Sequence, residues 1–275
     1  MKRPSPRQQK IAAAYDAEVW PLGPVRAAEP LLRALPARPK TVAFEYGCAT
    51  GRLTRAITER LDDDSRIVAV DPSAAMIELA NAGRSLAPKL VFEVAELTTQ
   101  PIGAGTCDLA ISNLALGDLP KPAEAIADFV RVLKPHGRAL LTLPLRGSWA
   151  EFLDLFRAVL REHGKAEALF ALANYERSLP DAATASRWLE AAGVTNVGLE
   201  TVRWELLFKS AREFFFAPII ELYPLPIWKQ IAGGRGDEMQ DLFFFVKEAI
   251  DTYFSGTVFP VTMVVGLLQG DKRAS

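Results

Sequence analysis

From Thr41 to Pro144 the chain alternates short apolar runs with stretches of helical period, and no other feature constrains its fold as strongly. TVAFEYG (41–47), RIVAVDP (66–72), LVFEVAE (90–96), CDLAISNL (107–114) and RALLTLP (138–144) have the length and continuous apolar character of strands buried on both faces. Between them lie helical patterns. Leu53, Ala56, Ile57 and Leu61 share one face, as do Met76, Ile77 and Ala80 behind a capping Ser73. Ile126, Phe129, Val130 and Leu133 fall at i, i+3, i+4 and i+7, and Lys134-Pro135-His136-Gly137 ends that helix. Strands joined by helices at this rhythm must pair in parallel through right-handed crossovers, so a doubly wound α/β sheet is expected.

The second half reads differently. Val202, Trp204, Leu206 and Phe208 alternate with Thr201, Arg203 and Glu205, which is strand period, and 259–270 is a long apolar strand. Helical stretches at about 146–180 and 209–257 read as insertions between sheet elements. Ser210 and Glu213 have capping-box spacing, and Asp237 is placed to cap a helix carrying Leu242, Val246 and Ile250. Phe214 to Trp228 shows no clean period. The basic, proline-containing start, MKRPSPRQQK, reads as a solvated tail.

Composition narrows the function classes. Lys plus Arg number 32 and Asp plus Glu 33, a net charge of -1 without the basic excess of a duplex nucleic-acid binder. The most apolar stretch, 214–228, is broken by Pro218, Glu221, Pro224 and Pro226, so no membrane span is expected. Cys48 and Cys107 cannot build a disulfide framework, which points to a reducing cytoplasm. Two Cys and two His at unrelated spacings predict no metal site.

The segment with chemical content is Glu45-Tyr46-Gly47-Cys48-Ala49-Thr50-Gly51-Arg52, where the first strand turns into the first helix. Ligands of doubly wound sheets bind at this carboxyl edge. Small residues fall at i, i+2 and i+4, and i+5 is Arg52, whereas a dinucleotide fingerprint needs glycine at i+5. A terminal Gly-Lys-Ser/Thr for ATP is absent. The loop is therefore not built for a pyrophosphate, which disfavours a nicotinamide oxidoreductase. Cys48 lies in this loop without a neighbouring base in sequence and reads as a small buried thiol.

With these residues the chain resembles the class I S-adenosylmethionine-dependent methyltransferases, in their small-molecule branch, which includes malonyl-carrier-protein methyltransferases. Their acid-x-Gly-x-Gly-x-Gly motif is matched by Glu45, Gly47, Ala49 and Gly51, with Ala49 replacing the middle glycine. The resemblance implies a Rossmann-like, seven-stranded, mostly parallel sheet in order 3-2-1-4-5-7-6, with helical insertions after strands 5 and 6. It implies a tail and lid helix in 1–40 and a methyltransferase domain over 41–275. It implies S-adenosylmethionine as cofactor, Asp71 on the ribose, Glu96 and Leu97 at the adenine and Glu45 toward the ammonium group. Tyr15 of the lid, Cys48, Pro72, Met76 and Asn113 of the SNLAL motif complete the expected binding set. Asp118 stands where several members carry an aromatic residue.

No His-Asp pair is evident in the sequence, which favours an acceptor that ionises by itself: a carboxylate, a phenol or an activated carbon. Expected pocket walls are Tyr15, 113–116 and the two insertions, with Phe152, Phe156, Phe170, Tyr175, Phe214 and Tyr223 as aromatic lining. Arg146, Arg177, Lys209 and Arg212 would be anion partners. The same aromatics could instead form core or a homodimer contact. The expected acceptor is a small, largely apolar acid, free or carried on an acyl carrier. The alternative is a non-catalytic module that retains the fold to bind the cofactor or a protein.

Overall fold

The computed structural model describes residues 3–37, 41–83, 90–234 and 236–274. Among these, the strands are β1 (Val42–Tyr46), β2 (Arg66–Asp71), β3 (Leu90–Val94), β4 (Cys107–Asn113), β5 (Leu133–Pro144), β6 (Val194–Phe208) and β7 (Phe259–Lys272). They form one sheet in the order β3-β2-β1-β4-β5-β7-β6, as the resemblance implied. Pairings β1–β2, β1–β4, β2–β3 and β4–β5 are parallel. The last strand is antiparallel to its neighbours. Arg138 near the start of β5 reaches Asp271 near the end of β7, while the Leu145 N–H just past β5 donates to Val264. On the other side, Thr195 binds Asp271 and Arg203 reaches Thr262.

The chain divides into two compact units. The first comprises 1–143, 182–202 and 265–275 and holds most of the sheet. Its helices are α1 (Pro6–Ala14), α2 (Pro24–Arg33), α3 (Arg52–Thr58), α4 (Ala74–Ala82), α5 (Pro122–Arg131) and α8 (Ala182–Ala191). Leu53 and Ile57 of α3 and Ile77 and Ala80 of α4 pack with Ile67, Ala69, Leu90, Phe92, Leu109 and Ile111 of the strands. The helical stripes thus close onto the apolar faces of the strands, the packing that the alternating pattern demands. Ser73 caps α4 by accepting the Met76 N–H.

Three features of this unit differ from the sequence reading. The amino-terminal segment is helical from Pro6, because Ser5 and Gln8 form a reciprocal capping box and proline occupies the first turn. Leu133 belongs to β5 rather than to α5, which ends at Arg131. β5 enters through an irregularity: Cys107 faces Leu133, and two residues later Leu109 faces Arg138. His136 sits there at φ +63°, and a Cβ on Gly137 would lie 2.9 Å from the Lys134 carbonyl. What reads as a loop before the strand is an excursion inside it.

The second unit comprises 144–181 and 203–264, with α6 (Ala150–Glu162), α7 (Ala166–Ser178), α9 (Ala211–Phe216), α10 (Pro218–Leu222), α11 (Pro224–Ile231) and α12 (Asp237–Tyr253). The stretch without a clean period is three short helices, two of them begun by Pro218 and Pro224. Asp237 is the first residue of α12 and Gly236 is its cap. Ser210 accepts the Glu213 N–H, but the Glu213 carboxylate turns to the Lys209 N–H, so the box is half closed.

Phe152, Phe156, Phe214 and Trp228 are fully buried in this unit. Phe152 stacks on Trp228 with ring centroids 3.8 Å apart, and Phe214 meets Phe259 edge-on at 5.2 Å. Phe152, Phe156 and Phe214, for which pocket lining and core were the two readings, are core: each satisfies its apolar surface on another ring. Phe170 and Tyr223 are exposed. Arg146 pairs with Asp181, and Arg177 is spent on Asn174 and the Ala173 carbonyl. His163 stacks on Phe245 at 4.0 Å. Among the described residues no helix is long and apolar enough to cross a membrane.

Candidate functional site

The site is built on the loop between β1 and α3. Gly47 and Gly51 both take positive φ, +73° and +75°. Space demands glycine as well: a Cβ on Gly47 would lie 2.1 Å from the Ala115 Cβ, and one on Gly51 would lie 2.6 Å from the Phe92 ring. The loop therefore passes directly against the segment after β4 and against β3. Between the glycines, Ala49 also has positive φ, +46°, a region where a Cβ is unfavourable.

Hydrogen bonds join this loop to the end of β2. The Gly47 and Cys48 N–H groups both donate to the Val70 carbonyl, at 2.8 and 3.1 Å. Asp71, the last residue of β2, accepts from the Ala49 N–H at 3.0 Å and from the Ser73 N–H at 2.8 Å. Its carboxyl is held above the usual range, first by burial and partly by the nearby Glu96 charge, while the two N–H bonds act in the opposite direction. An acceptor fixed from both sides is aimed, and each of its oxygens keeps a lone pair for a hydroxyl donor. Beneath the loop, the Arg55 guanidinium donates to the Thr50 carbonyl at 2.9 Å.

Glu45, on β1, is buried, and its Oε2 has no hydrogen-bond partner. Burial pushes its carboxyl up to about 7; the neighbouring Thr54 hydroxyl lowers it, the Asp71 charge raises it further and Arg55 lowers it. A buried carboxylate oxygen without a donor is costly unless a ligand satisfies it. Burial also pushes the Cys48 thiol well above its ordinary value, so it is no nucleophile.

The other expected site residues lie around this centre. Met76 is half-buried in the first turn of α4, and Pro72 is exposed beside Asp71. Leu97 is buried and Glu96 is exposed. Both are linked to the loop through Tyr46, whose phenol bonds the Leu97 backbone and is pushed up to about 12, first by burial and then by Glu96 and Asp71. Asn113 serves as a tie: its amide donates to the Pro24 carbonyl at 2.9 Å and accepts from the Thr142 hydroxyl at 2.7 Å. Leu114 follows at φ +67°, opening the short turn Ala115–Asp118, in which Asp118 is exposed. Among the described residues no group of His, Cys, Asp and Glu could hold a metal ion.

Tyr15 opens a π-helical turn, Tyr15–Val19, and is buried. Its neighbour Asp16 accepts from the Thr50 hydroxyl at 2.6 Å and from Arg52 Nε and Nη2 at 2.9 and 2.6 Å. The sequence reading gave Tyr46, Thr50 and Arg52 no role. Arg52 was legible only as the residue that breaks a dinucleotide fingerprint; its acidic partner lies 36 positions away.

Residues 44–141 match the family model described as a methyltransferase domain. This stretch is similar to that family, and the seven-stranded sheet matches the Rossmann-like methyltransferase fold. More particular likenesses are to two enzymes. The malonyl-[acyl-carrier protein] O-methyltransferase of Alcanivorax borkumensis is 37% identical over 131 residues, 47% of this chain and 44% of that protein. The trans-aconitate 2-methyltransferase of Deinococcus radiodurans is 32% identical over 117 residues, 42% of this chain and 43% of that protein. The chain spans less than half the length of these curated relatives. In fold it is similar to Haemonchus contortus phosphoethanolamine N-methyltransferase 2 in complex with S-adenosylhomocysteine, with a TM-score of 0.56 and 14% identity, over 97% of this chain and 58% of that one.

Proposed function

We propose that this chain is an S-adenosylmethionine-dependent methyltransferase acting on a small, largely apolar, acidic acceptor, either free or carried on an acyl carrier. The observation that carries the reading is the pairing of a twice-anchored Asp71 with the glycine loop, above a buried Glu45 oxygen that lacks a donor. This set suits a ligand with a diol and an ammonium group. In this reading Asp71 holds the ribose hydroxyls and Glu45 faces the amino group. Glu96 and Leu97 flank the adenine, and Tyr15, Gly47, Cys48, Ala49, Gly51, Pro72, Met76 and Asn113 complete the walls.

When bound, the cofactor supplies a methyl group on a positively charged sulfur. The chain's own part is to orient, to exclude water and to fix the two acids. Neither histidine supports base catalysis: His136 lies in the irregular entry to β5, at the opposite end of the strands from the glycine loop, and His163 is stacked on Phe245. An acceptor already ionised at neutral pH needs no such base. The two relatives above, named for malonyl-carrier protein and trans-aconitate, support an acid as acceptor. We take 41–275 as the catalytic domain, 1–40 as tail and lid, and a reducing cytoplasm as the setting, in keeping with two free, buried cysteines.

The test is calorimetry with S-adenosylmethionine and S-adenosylhomocysteine, followed by transfer of labelled methyl to free acids, acyl-carrier thioesters, phenols, tRNA and basic peptides. Binding with labelling of an acid is expected. Asp71→Ala should weaken binding by about 1–3 kcal/mol, the cost of unpaired ribose hydroxyls. No binding by the parent overturns the reading. Tight binding without transfer to any acceptor establishes the non-catalytic alternative, and labelling of tRNA or peptide alone overturns the acceptor class.

A further inference from the structure

We infer that Asp16 is a latch that closes the amino-terminal lid onto the glycine loop and thereby sets how fast the cofactor leaves; this rests on the cofactor reading above. The geometry is that of a clasp. α1 lies along α4, with Gln9 Nε2 donating to Glu78 at 3.1 Å and Ala12 buried beneath. The helix then widens into the π-turn, where the Trp20 N–H reaches back to the Tyr15 carbonyl at 2.8 Å. A π-turn is a local insertion that re-aims the residues it contains, and such turns concentrate at functional sites. Here it sets Asp16 against Thr50 and Arg52.

One carboxylate therefore takes three donors from the loop segment itself. Two are the paired nitrogens of a guanidinium, the arrangement with the most orientation built in. Thr50 and Arg52 bracket Gly51, so the clasp grips the loop where the ligand is proposed to sit. Tyr15, adjacent to Asp16, is held buried by the same closure. Arg52 first, with Thr50 in support and burial opposing, holds the Asp16 carboxyl down at about 2, so the latch stays ionised across the working pH range. Among the described residues the acid that pairs with Arg52 is Asp16, whose side-chain contacts are to the loop. Asp16 is thus a positioning residue, acting through the lid.

The prediction separates exit from entry. Stopped-flow chase of S-adenosylhomocysteine from Asp16→Asn should show dissociation about tenfold faster, with the association rate within about twofold of the parent, since bonds to a charged acceptor are lost only on the closed side. Thr50→Val and Arg52→Gln should move in the same direction, and Arg52→Lys should recover part of the loss. These keep the test open if Asp16→Asn does not fold. Hydrogen exchange on the free proteins supplies a ligand-independent readout: the Trp20 amide should exchange faster in Asp16→Asn, while the amides of β1 and β4 stay unchanged. Unchanged dissociation rates in Asp16→Asn, Thr50→Val and Arg52→Gln, with the parent binding normally, overturn the latch. Failure of the parent to bind at all overturns the cofactor reading instead, and the exchange measurement then still decides whether Asp16 closes the lid.

Discussion

Replacing Glu45 by Gln tests the central electrostatic claim about this site. An acid held near 7 in the folded protein, against about 4.5 unfolded, keeps its proton on folding across that interval. Because the folded state binds more protons there, stability falls as pH rises from 4.5 to 7 and levels off above. The two binding curves differ by about two pH units over this window, which amounts to about 2–3 kcal/mol lost between pH 5 and pH 8. Glutamine matches the protonated acid in shape and does not titrate. Glu45→Gln should therefore resemble the parent at pH 5 and exceed it by about 2–3 kcal/mol at pH 8. The assay is urea unfolding of both proteins at the two pH values, compared at equal m. A gap between them that is the same at both pH values, to within about 1 kcal/mol, refutes the claim that burial holds this carboxyl protonated. The same charge should matter in the opposite sense for a ligand that sets an ammonium group against it. Binding of S-adenosylhomocysteine to the parent at pH 6 should release a proton, seen as buffer-dependent heat, and Glu45→Gln should bind more weakly without that release.

Gly47→Ala should destabilise the fold by about 2 kcal/mol or more, because a positive φ and a Cβ 2.1 Å from Ala115 must both be accommodated; a melting curve decides it. Ala49→Gly relieves a left-handed backbone at the cost of a looser unfolded chain, so stability should hold or rise by up to about 1 kcal/mol in urea titration. Trp228→Ala removes a fully buried ring stacked on Phe152, and about 3–5 kcal/mol should be lost by the same measurement.

β1, β2 and β4 were legible because they are largely buried on both faces and so read as nearly continuous apolar runs, while β3, at the sheet edge with Glu93 exposed, was legible from Leu90, Val91, Phe92 and Val94. The loop was legible because glycine spacing is a direct record of backbone shape. Asp71 could be placed from its position at the end of β2. Other features are tertiary and left little local trace. The Asp16 clasp joins residues 34 and 36 positions apart, and nothing near Asp16 marks its partners. The aromatics of 152–228 could not be divided between lining and core, since a ring is equally apolar in either setting; only the stacking partners decide. The Ser5–Gln8 box, by contrast, was present in the sequence, and the prolines around it drew the reading toward a tail.

The position of β7 bears on how this chain is made. It is the last of the seven strands in sequence, yet it lies inside the sheet, between β5 and β6. During synthesis from the amino terminus, β6 is complete some 50 residues before the strand that will join it to the sheet has emerged. Through that interval its 15 residues have no neighbour to bond, and Trp204, Leu206 and Phe208 have no surface to cover them. A nascent chain stalled or truncated ahead of Phe259 would thus present an open, apolar edge, a template for pairing with another chain. Arg203, Glu205 and Lys209 alternate with those residues on the other face of the strand, beside an exposed Leu207, and their charge is the kind of guard that delays such pairing until β7 arrives.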